Sequence, residues 1–243
     1  MIEAFLWGLL SASSLVLGGL IVTVHRPNLL VLGLVMGFGA GVLLSAVSFE
    51  LVEVAANLAH GGGGTVLGFF TGAIVFLVGD QIISKMGYRD RKDIAGSAQA
   101  ASATAIVLGI VLDGIPESTV VGLTLLQSGE VGVAMLVAVF VSNVPESIAA
   151  TTGLRAGGWS WSRLFTLWSG IAVVSGLAAG AGYALLDHAS PNVLAFVLAF
   201  AGGAILAMLS TTMMPEAYEH AGRTVGLATT IGFAVAFTIH LAE

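Results

Sequence analysis

Apolar residues fall in eight runs of about 20 positions or more, at 3–24, 29–58, 64–86, 100–127, 130–153, 163–186, 192–218 and 223–242. The polar breaks between them are short and read HRPN, HGGGG, KMGYRDRKD, QSGE, GGWSWSR, DHASPN and EHAGR. A helix rises about 1.5 Å per residue, so each run is long enough to cross a hydrocarbon core roughly 30 Å thick. The pattern predicts an all-α polytopic membrane protein with eight transmembrane helices, a single domain over 1–243. The longest break, from Lys85 to about Gln99, reads as a cytoplasmic linker, and no soluble domain fits anywhere.

Composition agrees. The chain is 57% hydrophobic and only 9% charged, with a mean hydropathy of +1.00. A soluble domain carries about 25% charged residues, so this chain has too little polar surface to clothe a particle in water. Its 33 glycines suit helices that approach closely in lipid. There is no cysteine, which excludes disulfides and thiolate metal sites. The net charge of -6 says little, because several acids lie inside apolar runs. The uninterrupted apolar stretch of the first run, Phe5 to Val24, has Glu3 before it and Arg26 after it, the reverse of a signal peptide, and reads as a retained span.

The eight basic residues set an orientation. Arg26, Lys85, Arg89, Arg91, Lys92, Arg155, Arg163 and Arg223 all fall in or beside the odd-numbered breaks. If those breaks are cytoplasmic, the positive-inside rule holds throughout. Both termini and the breaks HGGGG, QSGE and DHASPN are then extracytoplasmic, with the plasma (inner) membrane as the expected location.

The chain also resembles itself. GAGVLLSAVSFELVEVA (Gly39 to Ala55) is similar to GGAILAMLSTTMMPEAY (Gly202 to Tyr218) at a constant offset of 163, which pairs Glu53 with Glu216. That register pairs spans one to three with spans six to eight, which run in the opposite sense. DGIPES in span four overlays SNVPES in span five. The expected architecture is an inverted 3+2+3 repeat, and such repeats place a substrate site near the midplane where interrupted helices meet.

Seven carboxylates lie in or beside the apolar runs: Glu50 and Glu53 in span two, Asp80 in span three, Asp113 and Glu117 in span four, Glu146 in span five and Glu216 in span seven. A charge at the bilayer centre costs several kcal/mol, by estimates from about 2.5 to above 10, and no basic residue lies at comparable depth. Protonation, hydrogen bonds to backbone, or a bound cation remain. Asp113 and Glu117 are four apart and share one helical face, as do Ser142, Asn143 and Glu146 at spacings of three or four. Pro116 and Pro145 free the carbonyls of Leu112 and Val141 beside them. Carboxylates beside loosened carbonyls outline a midplane cation site between helices four and five. A lone proline would read as a packing kink and a lone acid as a protonated one; two matched units in adjacent antiparallel helices read as halves of one site. Glu50, Glu53, Asp80 and Glu216 lie towards span ends, where a capping or snorkelling acid competes with a pathway residue. His25, His60, His188, His220 and His240 lie at or near helix ends, and Trp159, Trp161 and Trp168 read as packing and interfacial belt.

At these residues the chain resembles the ZIP family of divalent metal transporters, as a divergent member, over nearly its whole length. The family pattern His-Asn-x-Pro-Glu-Gly in span four stands here as Asp113-Gly114-Ile115-Pro116-Glu117-Ser118, with Ser142-Asn143-Val144-Pro145-Glu146-Ser147 in span five. FGAGVLLSAVSFELVEVA, SGLA (Ser175 to Ala178) and MPEAYEH are further similar segments. The resemblance implies metal ligands at Asp113, Glu117, Asn143 and Glu146, with Ser142 beside them. The family glutamate that helps bind a second metal is replaced by Ala179, and the span-four asparagine by Gly114, so one ion rather than two is expected. Oxygen donors suit harder ions such as Mn²⁺, whereas zinc, the family default, usually recruits nitrogen or sulfur.

The implied function is movement of zinc or a related ion (Mn, Fe, Cd) across the membrane, into the cytoplasm, with the divalent metal ion as substrate and no cofactor. The alternatives are a proton-coupled carrier of a small organic cation and a metal-binding homologue that has lost transport. An intramembrane metal hydrolase would need histidines at the midplane cluster, and there are none, so no enzyme is expected. The partners implied are the metal ion and the lipid bilayer, with no nucleic acid, and a homodimer is the assembly to test.

Overall fold

A computed structural model describes residues 1–24, 28–59, 63–85 and 103–242, with the side chains of 103–106 and 127–128 not described. The expectations for Arg26, Arg89, Arg91, Lys92, His25, His60 and most of the long third break lie outside the described residues. Those residues are helical almost throughout: α1 (Ile2–Val24), α2 (Leu29–Ala46), α3 (Val54–Leu58), α4 (Gly63–Lys85), α5 (Ala103–Ser128), α6 (Val133–Ala156), α7 (Trp161–Leu186), α8 (Pro191–Met208), α9 (Met214–Ala221) and α10 (Thr224–His240). A π-helical stretch, Val47–Glu53, joins α2 to α3, and a second, Leu209–Met213, joins α8 to α9. Each joined set is one long rod, so the described residues make eight rods that correspond to the eight runs. Seven are long and apolar enough to cross a membrane. The eighth, α10, is apolar but has 17 residues, a rise of about 25 Å.

Helix starts follow local chemistry. Asn28 caps α2 by accepting from the amide of Leu30 at 2.9 Å. Ser160 accepts from Arg163 ahead of α7, and Ser190 from Val193 ahead of α8, where Pro191 needs no donor. Gly222 ends α9 at φ 58 and ψ -145, a conformation open in practice only to glycine.

Packing sorts the rods into inner and outer ones. In their most apolar windows, 67% of residues are buried in α6 and in the α2–α3 rod, against 22% in α4. The outward face of α4 carries Val66, Leu67, Phe70, Ile74 and Val78 at helical spacing, all exposed. In water such a stripe would drive association; in lipid it is solvated.

Glycine sets the closest crossings. A Cβ at Gly72 of α4 would collide with the carbonyl oxygen of Phe200 in α8, and one at Gly203 of α8 with that of Phe69 in α4. The α2–α10 pair is built alike: Gly41 lies against the carbonyl of Thr229, and Gly232 against that of Phe38. With little hydrophobic force between helices in lipid, backbone proximity of this kind supplies the packing energy.

The two π-helical stretches fall at matching places in their rods. Ser48 Oγ donates to Leu44 O at 2.8 Å, and Thr211 Oγ1 donates to Ala207 O at 2.7 Å. Both donors and both acceptors are related by the offset of 163 positions seen in the sequence.

At one end of the bundle, two cation–π contacts interlock across the α6–α7 turn. The Arg155 guanidinium lies 4.5 Å from the Trp161 ring centroid, and that of Arg163 lies 3.7 Å from Trp159. Trp159 and Trp161 thus each carry a guanidinium on the ring face at this turn. Trp168 is fully buried and donates from Nε1 to Thr151 Oγ1 at 3.0 Å, a core residue.

Candidate metal centre

Both Pro-Glu motifs sit within continuous helix: Pro116 in α5 and Pro145 in α6. Every ligand candidate in them is buried. Asp113 and Glu117 are each 2% exposed, Ser142 3%, Asn143 6% and Glu146 8%. None faces lipid. The described basic residues Lys85, Arg155, Arg163 and Arg223 are exposed at helix ends instead.

Three neighbouring helices close around the motifs. Gly39 of α2 lies beside Ser142, where a Cβ would stand 3.3 Å from Ser142 Cα and 3.2 Å from Met213 Cε. Gly18 of α1 lies against the Ser147 hydroxyl and the Val144 carbonyl. From α7, Ser175 faces the motif of α5: its Oγ is the nearest atom, at 4.0 Å, to a Cβ built on Gly114. Ser175 is 5% exposed.

The hydroxyls are already oriented. Ser142 Oγ donates to Val139 O at 3.1 Å, and Ser147 Oγ donates to Val144 O at 3.0 Å. With its proton committed to the helix, the oxygen of Ser142 offers only lone pairs to the space beside it, which suits a cation. The donors are all oxygens or amide groups. Among the described residues, no three His, Asp or Glu side chains gather as a metal-holding group, so Asp113, Glu117 and Glu146 do not converge as a three-carboxylate cluster.

The surroundings of Ala179 are tightly packed. Ala179 is fully buried. A Cβ at Gly8 would stand 2.6 Å from Ala179 Cβ, and one at Gly122 would collide with the Ala179 carbonyl. Helices α1 and α5 therefore occupy the space that a glutamate would need.

The acids outside the motifs separate by depth. Glu53 is exposed, and Asp80 and Glu216 are half-buried. Glu50 is 7% exposed, inside the first π-helical stretch. Its Oε1 lies 3.9 Å from Nδ1 of His240, and Phe49 stacks on the His240 ring with centroids 5.3 Å apart. His240 is the residue that sequence reasoning missed, because nothing local in a helix-end histidine tells which helix it will meet.

No known protein family's sequence profile matches the chain. It is 31% identical over 207 residues, 83% of its length, to an Arabidopsis thaliana protein named "Putative zinc transporter". The chain spans about a third of the length of that relative, 32%. The similarity supports kinship with zinc transporters.

Proposed function

We propose that this chain is a ZIP-type carrier that moves zinc or a related divalent ion (Mn, Fe, Cd) across the membrane, into the cytoplasm. The ion would be held by Asp113, Glu117, Ser142, Asn143 and Glu146 near the midplane. One observation carries the reading: these five oxygen-bearing side chains are all buried within the two Pro-Glu helices of an otherwise apolar bundle. Burying three carboxylates in such a setting is costly, and a visiting cation would offset part of that cost. The name of the Arabidopsis relative supports metal as the cargo.

The inverted repeat belongs to the same reading. The matched π-helical stretches, the matched back-bonds of Ser48 and Thr211, and the reciprocal glycine crossings of α2–α10 and α4–α8 support it. With α5 and α6 as the central pair, ions would bind where the two halves meet.

Competitive uptake of Zn²⁺ and Mn²⁺ into vesicles tests the proposal. Asp113→Ala abolishes uptake while the protein still folds. Asp113→His supplies a nitrogen donor on the same helix face and raises the Zn²⁺ to Mn²⁺ ratio, because imidazole suits the softer ion. Retained uptake with an unchanged ratio would remove Asp113 from the site.

A further inference from the structure

We propose that Glu50 and His240 form a second divalent-cation site, separate from the Pro-Glu motifs, which captures the ion at one mouth of the bundle. This rests on the metal-carrier reading above and adds a site to it. Glu50 belongs to the first π-helical stretch, His240 is the last residue of α10, and the turn between α5 and α6 closes the third side. There Gly132 N donates to Thr124 Oγ1 at 3.0 Å, and a Cβ on Gly132 would collide with Glu50 Oε2. Three chain segments that are remote in sequence thus present one carboxylate and one imidazole to a common point.

The geometry suits an ion better than a direct hydrogen bond. Nδ1 of His240 and Oε1 of Glu50 are 3.9 Å apart, beyond the roughly 3.2 Å limit of an N–H···O bond. Two ligands about 2.1 Å from a tetrahedral zinc stand about 3.4 Å apart, so a small side-chain adjustment would seat the ion. The imidazole stacks on Phe49, and the carboxylate lies against Gly132. The side chain of Glu50 is 8% exposed and that of His240 33%, so the site is walled on the protein side and open on the other. Two protein ligands leave the remaining positions to water, as a site that must release its ion requires. A mixed nitrogen and oxygen pair favours zinc-like ions over Mg²⁺ or Ca²⁺.

The position suits transfer. Thr124, beside Glu50, lies seven residues beyond Glu117 on α5, a rise of about 10 Å. An ion leaving Glu50 and His240 therefore has about two helical turns to travel to the first carboxylate of the midplane set.

Equilibrium titration of the purified protein with Zn²⁺, scored by the number of ions bound, tests this. The wild type binds two ions. Glu117→Gln/Glu146→Gln keeps one, and adding Glu50→Gln or His240→Ala to that variant weakens the remaining ion at least about tenfold. Gly132→Ala is a second probe, since it displaces the Glu50 carboxylate without touching a ligand or needing an unusual backbone angle; it weakens the same ion and leaves the other. A remaining ion that neither Glu50→Gln nor His240→Ala affects overturns this site and leaves the midplane reading intact. A single ion lost with Glu117 and Glu146 does the same. A single ion lost with Glu50 or His240 instead upholds this site and sinks the midplane one. If no ion binds, both fall.

Discussion

Gly39 of α2 lies against the backbone of Ser142 in α6, so closely that a Cβ there would stand 3.3 Å from Ser142 Cα and 3.5 Å from its nitrogen. The inner rod thus packs on the second Pro-Glu motif by backbone contact, close enough that even a methyl at this position would need its neighbours to give by a few tenths of an ångström. Gly39→Leu should push α6 outward at the ligand positions. A misplacement of about 1 Å can cost on the order of a hundredfold in rate where geometry is exacting, so uptake should fall by tenfold or more while Gly39→Ala loses less. Initial rates in vesicles, normalised to folded protein, check this; wild-type rates in Gly39→Leu would contradict it.

Glycine crossings should dominate stability. Gly72→Ala and Gly203→Ala each drive a methyl into a backbone carbonyl of the partner helix, of Phe200 and Phe69 respectively. Overpacking of this kind costs about 1–3 kcal/mol. Gly170 has nothing within 4 Å of a built Cβ, so Gly170→Ala should be neutral or stabilise by about 0.5–1 kcal/mol through helix propensity. Thermal midpoints in detergent compare the three directly. Equal effects at all three positions would refute the packing argument.

The packing around Ala179 leaves little room for a larger side chain. Ala179→Glu would place an acid where the ZIP resemblance implies one, but it must fit between Gly8 of α1 and Gly122 of α5. Yield of folded protein should collapse, and any that folds should bind no additional Zn²⁺. A well-folded Ala179→Glu variant with one more bound ion would show that α1 can move aside.

Orientation can be read from α7, whose 26 residues span about 39 Å. Ser162 lies at its first turn, beside Arg155 and Arg163, and His188 just beyond its end. Because the native chain has no cysteine, single cysteines report cleanly. An impermeant maleimide on intact cells should label His188→Cys and not Ser162→Cys. The opposite pattern would invert the topology.

What was legible in the sequence was whatever apolar patterning and misplaced charge can express. Eight runs became eight helical rods, and Asp113, Glu117, Ser142, Asn143 and Glu146 are all buried, because acids and amides inside apolar runs can only turn inwards. The end-of-span acids were not separable by sequence. Glu50 is buried and Glu53, three residues on, is exposed, because the π-helical stretch changes the angular step between them. Nothing in SFELVE marks that change. The contact between Glu50 and His240 joins residues far apart along the chain, and the placement of Ser175 beside Gly114 depends on how α7 crosses α5; both need tertiary packing that periodicity cannot supply.

The central claim is that one divalent ion is held by the two Pro-Glu helices. Anomalous scattering from crystals of the protein loaded with Zn²⁺ or Mn²⁺ locates it without reference to transport. The account predicts a peak between α5 and α6, about 2.0–2.3 Å from oxygens of at least one acid of the pair Asp113 and Glu117 and from Glu146. A peak elsewhere in the bundle, with these carboxylates contacting no ion at saturating metal, would contradict it.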